Sequence, residues 1–254
     1  MRTRIISGLI GVILLLGAVM TGGIVLKISV LVITLIGIKE FRRAFSKVNI
    51  KLTKYLYLYS ILLFVFSILN NYNLVTFSIV LNLIIFLIIY VFNSDYNINE
   101  ICISVFASLY IPFSLVHISF LEGNILIWLI FIIAFSTDTF AYFSGNFFGK
   151  RKLAPILSPK KTIEGAIGGL IGALISTIIF VEIFNLDNIF LYAALGVISS
   201  IASVIGDLTA SKIKRNIGIK DYGNIMPGHG GVLDRFDSIL FISPLIFYFI
   251  SYLI

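Results

Sequence analysis

The feature that most constrains this chain is a succession of apolar runs, each close to the length of a bilayer crossing and each ended by a short polar break. A helix needs roughly 20 apolar residues to span the hydrocarbon core, with some latitude for tilt. Cutting at the polar breaks gives nine segments, near residues 5–21, 24–38, 55–70, 74–92, 99–120, 125–144, 163–184, 188–207 and 236–254. The first two are separated only by Thr21-Gly22-Gly23, so that pair is either a tight hairpin or one broken element. Of the 254 residues, 59% are hydrophobic and 12% charged, where a soluble domain is about a quarter charged. No water-soluble fold has enough interior for that surface. The expectation is therefore an all-α, polytopic transmembrane protein of about nine helices. It forms a single integral membrane domain over 1–254, with N-terminal helices in 1–92 and the catalytic helices and cytoplasmic loops in 93–254. The first apolar run reads as a retained span, because no small-residue cleavage site is followed by a soluble mature domain. The single cysteine, Cys102, rules out an intramolecular disulfide framework and reads as a packing residue.

The basic residues test this layout independently, because Lys and Arg collect in cytoplasmic loops. With the N-terminus inside, the inner side receives Arg2 and Arg4; Lys39, Arg42, Arg43, Lys47, Lys51 and Lys54; Lys150, Arg151, Lys152, Lys160 and Lys161; and Lys212, Lys214, Arg215, Lys220 and Arg235. That is eighteen of the 19 basic residues, with Lys27 alone outside, so nine spans with the N-terminus in and the C-terminus out are self-consistent. The net charge of +7 then reports topology and contact with anionic headgroups, not binding of nucleic acid.

Acidic residues within the apolar segments point to chemistry, since a carboxylate at mid-membrane costs about 2.5–3.5 kcal/mol unless it is partnered or wet. Asp138 lies in the sixth segment, Asp207 ends the eighth, and Asp234 and Asp237 open the ninth. Judged singly, the last three are equally readable as interfacial acids close to water. Asp138 is the deeper, with Ser and Thr neighbours and Tyr142 one turn on as hydrogen-bonding partners. Between the sixth and seventh segments, Ser158-Pro159-Lys160-Lys161-Thr162-Ile163-Glu164 places two lysines before a helix start that Thr162 is placed to cap. That arrangement suits a phosphate, and it equally describes an ordinary positive-inside loop.

The densest stretch runs from Gly206 to Asp237, where four carboxylates and five bases fall within about thirty residues, more than topology requires. Gly228, Gly230 and Gly231 around His229 allow positive φ and close backbone approach, the geometry of an anion-binding nest. Carboxylates beside phosphate-binding cations suit Mg²⁺-dependent phosphoryl or nucleotidyl transfer. The chain contains no GxxxxGK[ST] loop and no recognisable Ser/His/Asp hydrolase motif. A lone His229 between glycines reads equally as a loop hydrogen-bonder, and zinc is disfavoured without a second well-placed His. His117 reads as a packed or helix-bonded residue.

The pattern Ser211-x-x-Lys214-Arg215-x4-Lys220-Asp221-x-Gly223-x3-Pro227-Gly228-His229-Gly230-Gly231-x-x-Asp234-Arg235-x-Asp237 closely resembles the signature of the phosphatidate cytidylyltransferase (CDP-diacylglycerol synthase) family. Met226 is the one departure, apolar for apolar. The stretches Asp138 to Gly149 and Ser158 to Gly165 also look like family motifs, so the likeness is strong over about 130–237. The resemblance implies CMP transfer from CTP to phosphatidic acid, giving CDP-diacylglycerol and pyrophosphate in phospholipid biosynthesis. It further implies an enzyme embedded in the bilayer of a bacterial inner membrane, working as a homodimer with its active site facing the cytoplasm. Mg²⁺ and a second cation such as K⁺ are implied as cofactors. Carried across by motif position, Asp207 and Asp234 are the expected metal ligands, with Asp138, Asp221 and Asp237 as further candidates. The expected catalytic set is Asp207, Lys214, Arg215, Lys220, Asp221, His229, Asp234, Arg235 and Asp237. Ser158, Lys160, Lys161, Thr162, Glu164, Ser211, Lys212, Gly228, Gly230 and Gly231 are expected to bind substrate. Three other readings stay open on the residues: a related enzyme acting on a different lipid phosphate; an ion-coupled transporter, which would also place acids in the membrane; and a catalytically dead scaffold, against which every charged position of the signature is present.

Overall fold

The computed structural model describes residues 2–226, 228 and 230–253. Every one of the nine apolar segments is helical. They are α1 (Arg2–Thr21), α2 (Gly23–Ser46), α3 (Tyr55–Ile68), α4 (Tyr72–Phe92), α5 and α6 (Ile98–Ser108 and Ser114–Phe120), α7 (Ile127–Phe148), α8 (Ile163–Ile183), α9 (Ile189–Asn216) and, after the short α10 (Leu233–Phe236), α11 (Ile239–Leu253). Five stretches are long and apolar enough to cross a membrane: α4, the α5–α6 run, α7, α8 and α9; Ser7–Thr21, α3 and α11 are shorter apolar helices. Leu83, Ile84, Leu87, Ile88, Val91 and Phe92 of α4 are all exposed. A helix that shows apolar side chains outward in this way is at home in lipid. The protein is a helical membrane protein.

Local chemistry sets the helix limits. Asn71 accepts the Leu74 N–H at the start of α4, and Asn97 with Glu100 forms a reciprocal capping box at the start of α5. Asn49, Asn70, Asn185 and Asn188 take positive φ in the turns, a conformation asparagine tolerates better than most residues. Between α5 and α6, Leu109–Phe113 forms a π-helical turn containing Pro112. Proline has no N–H to continue the ladder, and two residues on, the Ser114 hydroxyl donates to the Leu109 carbonyl at 3.1 Å. The expectation of an all-helical chain misses one element. Strands β1 (Lys152–Ala154) and β2 (Ser158–Thr162) pair antiparallel, Lys152 opposite Thr162 and Ala154 opposite Ser158.

The chain forms two compact units, residues 1–123 with 217–235 and residues 124–216 with 236–254. In the first, Phe41, Leu56, Tyr59, Leu63, Ile111 and Leu115 are among the fully buried side chains, and the Tyr59 hydroxyl meets Ser78 at 3.1 Å. In the second, α8 lies close against α7 through glycine. A Cβ at Gly165 would stand 2.8 Å from the Ala141 carbonyl, and one at Gly169 2.8 Å from that of Thr137. Small residues at helical spacing let backbones approach closely where lipid gives no hydrophobic driving force.

Candidate active site

In the second unit, the capping reading of Thr162 holds: its Oγ1 accepts the Gly165 N–H at 3.1 Å, and its backbone is extended where α8 begins. In the first turn of α8, Glu164 accepts the backbone N–H groups of Lys150 (3.0 Å) and Arg151 (3.2 Å to the same oxygen), closing the base of the hairpin. Glu164 therefore shapes the loop as well as being an expected substrate contact. The hairpin delivers Lys161 to α9, where its Nζ forms an ion pair with Asp207 Oδ2. The hydroxyl of Ser211, one turn further along α9, donates to Asp207 Oδ1 at 3.4 Å. Ser158 and Lys214 are half-buried, and Lys160, Lys212 and Arg215 are exposed.

Asp237 joins this group because α9 is pared down beside it. A Cβ at Gly206 would stand 2.6 Å from the Asp237 carbonyl oxygen, so only glycine lets the chain pass there. The surrounding protein, followed by the negative charge of Asp207, holds the Asp237 carboxyl well above the usual range, at about 7. Lys214 opposes that shift and Asp138 adds to it. Asp138, expected to be the deepest of these acids, is exposed on α7. Its field nevertheless reaches Asp237. Tyr142, its expected partner, is 66% exposed and packs edge-on against Phe143.

In the first unit, the signature loop folds around Asp234, which is buried and whose Oδ2 accepts the N–H groups of Tyr222 (2.8 Å) and Gly231 (2.9 Å). Gly228 and Gly230 adopt φ of 78° and 88°, as the nest reading expects. Met226 and Gly230 face each other in an isolated antiparallel bridge. A Cβ at Gly230 would meet Asp234 Oδ2 at 2.9 Å and Asp221 Cβ at 3.3 Å, so the backbone there runs between two carboxylate side chains. Lys220, Asp221 and Arg235 are exposed. His229, and Pro227 before it, lie outside the described residues.

Glu40 is the residue that sequence reasoning passed over. Standing alone at the end of an apolar run, it reads as an interfacial acid, and only the fold reveals its partners. It is buried in the first unit, where Oε1 accepts the Val232 N–H at 3.0 Å and Oε2 the Leu233 N–H at 2.9 Å. Lys27, the outlier of the charge distribution, forms an ion pair with Glu122 at 2.9 Å. His117 is buried, with Nδ1 2.7 Å from the Phe113 carbonyl, a helix-bonded residue as expected.

Residues 2–253 match the model of a family described as the cytidylyltransferase family. The chain belongs to that family. Among curated cytidylyltransferases it is similar to the phosphatidate cytidylyltransferase of Staphylococcus haemolyticus (strain JCSC1435), 48% identical over 119 residues, 46% of this chain and 45% of that protein. It is similar also to the phosphatidate cytidylyltransferase of Staphylococcus epidermidis (strain ATCC 12228 / FDA PCI 1200), 43% identical over 126 residues, 49% of this chain and 48% of that protein. A third, from Staphylococcus aureus (strain COL), is 44% identical over 128 residues, again 49% of this chain and 48% of the relative. The chain spans about half the length of the curated cytidylyltransferases it matches.

Proposed function

We propose that this cytidylyltransferase-family chain transfers CMP from CTP to phosphatidic acid, giving CDP-diacylglycerol and pyrophosphate, at the cytoplasmic face of a bacterial inner membrane. The observation that carries the reading is the group formed by Asp207, Asp237, Lys161 and Lys214, set where apolar helices end. Such a group suits a reaction that joins a water-borne polyphosphate to a membrane-borne phosphate. A phosphate oxygen of phosphatidic acid attacks the α-phosphorus of CTP, and the bond to the β-phosphate oxygen breaks as pyrophosphate leaves with the electron pair. The lipid supplies the nucleophile, so the protein's task is to position two polyanions and offset their charge.

Mg²⁺ fits the donor set. Carboxylate oxygens are its preferred ligands, and a divalent cation would offset the burial, and after it the charge of Asp207, that lift Asp237. Among the described residues no three His, Cys, Asp or Glu converge into a ready-made cage. That agrees with the habit of Mg²⁺, which takes one or two carboxylates and completes its shell with water and substrate phosphates. Asp207 and Asp237 would hold it, and its chemistry would be to neutralise charge on the triphosphate and the departing pyrophosphate. Asp234 stays a candidate ligand on the sequence argument, with two backbone amides already on one of its oxygens. Nothing in the donor set independently supports a second cation such as K⁺, and no step is assigned to one. Lys160, Lys161, Lys212, Lys214 and Arg215 are the cations of the second unit for the phosphates of the two substrates, and the Ser158–Glu164 hairpin is one wall; Lys220 stays a candidate on the sequence argument. Nine crossings with the N-terminus inside and a homodimeric assembly belong to the same proposal, supported by the distribution of basic residues and by the family resemblance.

The test is CTP-dependent CDP-diacylglycerol formation by purified protein in mixed micelles, with a panel of other lipid phosphates run in parallel. Parent activity on phosphatidic acid is expected to exceed that on every other lipid of the panel. The Asp207→Asn variant is expected to lose at least about a hundredfold in kcat/KM. Retention of activity within about threefold, with an unaltered Mg²⁺ response, would sink the assignment of Asp207.

A further inference from the structure

We propose that Glu40, on α2, is the positioning residue of the signature loop. Its carboxylate accepts the Val232 and Leu233 backbone N–H groups, one on each oxygen, and so fixes the segment that carries Asp234. The proposal rests on the reading of that loop as catalytic.

Four observations converge on it. Glu40 is 4% exposed, and an acid so enclosed is tolerated where its oxygens are occupied by donors. Its two acceptor bonds, 3.0 and 2.9 Å, go to consecutive amides, a bidentate grip that sets the direction of the backbone as well as its distance. The loop is shaped to receive the carboxylate. A Cβ at Gly231 would lie 2.6 Å from Glu40 Oε1, and one at Gly223 would overlap the Glu40 carboxylate. Two glycines of the signature, eight positions apart in the loop, thus leave room for the same side chain. Finally, α2 holds the loop by neighbouring residues on one face. Gly37, one turn before Glu40, passes close to Leu233 (3.6 Å from a built Cβ), and the Phe41 ring lies 5.8 Å from that of Tyr222. Positions i, i+3 and i+4 of a helix share a face.

The consequence is a relay of fixed hydrogen bonds. Glu40 holds Val232 and Leu233; the next residue, Asp234, in turn holds the amides of Tyr222 and Gly231. Both ends of the loop are thereby tied to α2, and a residue that touches no substrate controls where Asp221, Asp234 and Arg235 stand.

The experiment compares parent, Glu40→Gln, Glu40→Asp, Gly231→Ala and the Glu40→Gln/Gly231→Ala double variant in detergent. Steady-state kinetics on CTP and phosphatidic acid are measured alongside hydrogen exchange of peptides covering 221–238. Glutamine keeps one acceptor and replaces the other by a donor, so Glu40→Gln is expected to speed amide exchange in this segment and to lower kcat by about 10- to 100-fold, with a smaller change in KM for CTP. Glu40→Asp keeps the charge but shortens its reach and is expected to fall between parent and Glu40→Gln, which preserves the test if Glu40→Gln does not fold. Gly231→Ala is expected to reproduce the effect from the loop side, and the double variant to be no worse than the poorer single one, as for two residues in one contact. Parent-like exchange and a kcat within about threefold of the parent in Glu40→Gln would overturn the proposal. So would a loss of activity accounted for wholly by loss of folded protein, with kcat unchanged in the folded fraction. A parent protein inactive on phosphatidic acid would instead sink the proposed function and leave the exchange data to decide the role of Glu40.

Discussion

At the scale of single residues, the ion pair between Lys161 and Asp207 joins the hairpin to α9. Removing the lysine leaves the carboxylate beside Asp237 without that counter-charge and strips a cation from the proposed phosphate site. Lys161→Ala is therefore expected to raise KM for CTP and the Mg²⁺ needed for half-maximal rate, each by about tenfold; titrations of CTP and of Mg²⁺ on the purified variant read both. Gly230→Ala is expected to destabilise the loop by about 1–3 kcal/mol, because it combines φ of 88° with a Cβ 2.9 Å from Asp234 Oδ2. The midpoint of thermal unfolding measures it. Much at this scale is legible in sequence. Asp207 and Asp237, Lys161 and Lys214, and the glycines of the signature stand out by charge or conformational freedom in an apolar chain. Glu40 does not, because its partners lie 192 and 193 residues away and a pairing at that range leaves no local pattern. Asp138 shows the complementary limit. Its depth in the apolar run is readable, while the face of α7 on which it sits depends on packing.

Elements were the easier prediction. Twenty-residue apolar runs between polar breaks specify helical structure almost unaided, and each of the nine segments is helical, the fifth broken by a π-helical turn. Sequence misses the overhangs, since α2, α7 and α9 continue past their apolar runs to Ser46, Phe148 and Asn216. Helix formation persists where hydrophobicity stops, and hydropathy reports only the latter. The β1–β2 hairpin is hidden as well: Lys152–Ala154 and Ser158–Thr162 are short and carry three lysines and a proline, with no alternation to betray a strand. At this scale two substitutions are informative. Thr162→Ala removes the α8 cap and is expected to cost about 0.5–2 kcal/mol, read as a lower midpoint of thermal unfolding. Gly169→Ala should cost more than Gly17→Ala, because a Cβ at Gly169 would meet the Thr137 carbonyl at 2.8 Å and one at Gly17 meets nothing within 4 Å. In the open position alanine is the better helix former by about 1 kcal/mol, so the two variants are expected to shift the unfolding midpoint in opposite directions.

For the molecule as a whole, the orientation of the helices is the point on which the proposed chemistry depends, since CTP is cytoplasmic. A cysteine introduced at Asn216, exposed at the end of α9, in a Cys102→Ser background, is expected to react with a membrane-impermeant maleimide only when the cytoplasmic face is accessible. Labelling solely from the outer face would reverse the proposed topology. The division into two units is not legible in the sequence, because the chain leaves the first at residue 123, returns at 217 and leaves again after 235. No composition shift marks those crossings. That itinerary has a consequence for biosynthesis. A ribosome adding about 5–20 residues per second makes Glu40 some 10–40 s before Val232 and Leu233 emerge to occupy its oxygens. A nascent or truncated chain ending at Asn216 thus carries a carboxylate whose amide partners do not yet exist.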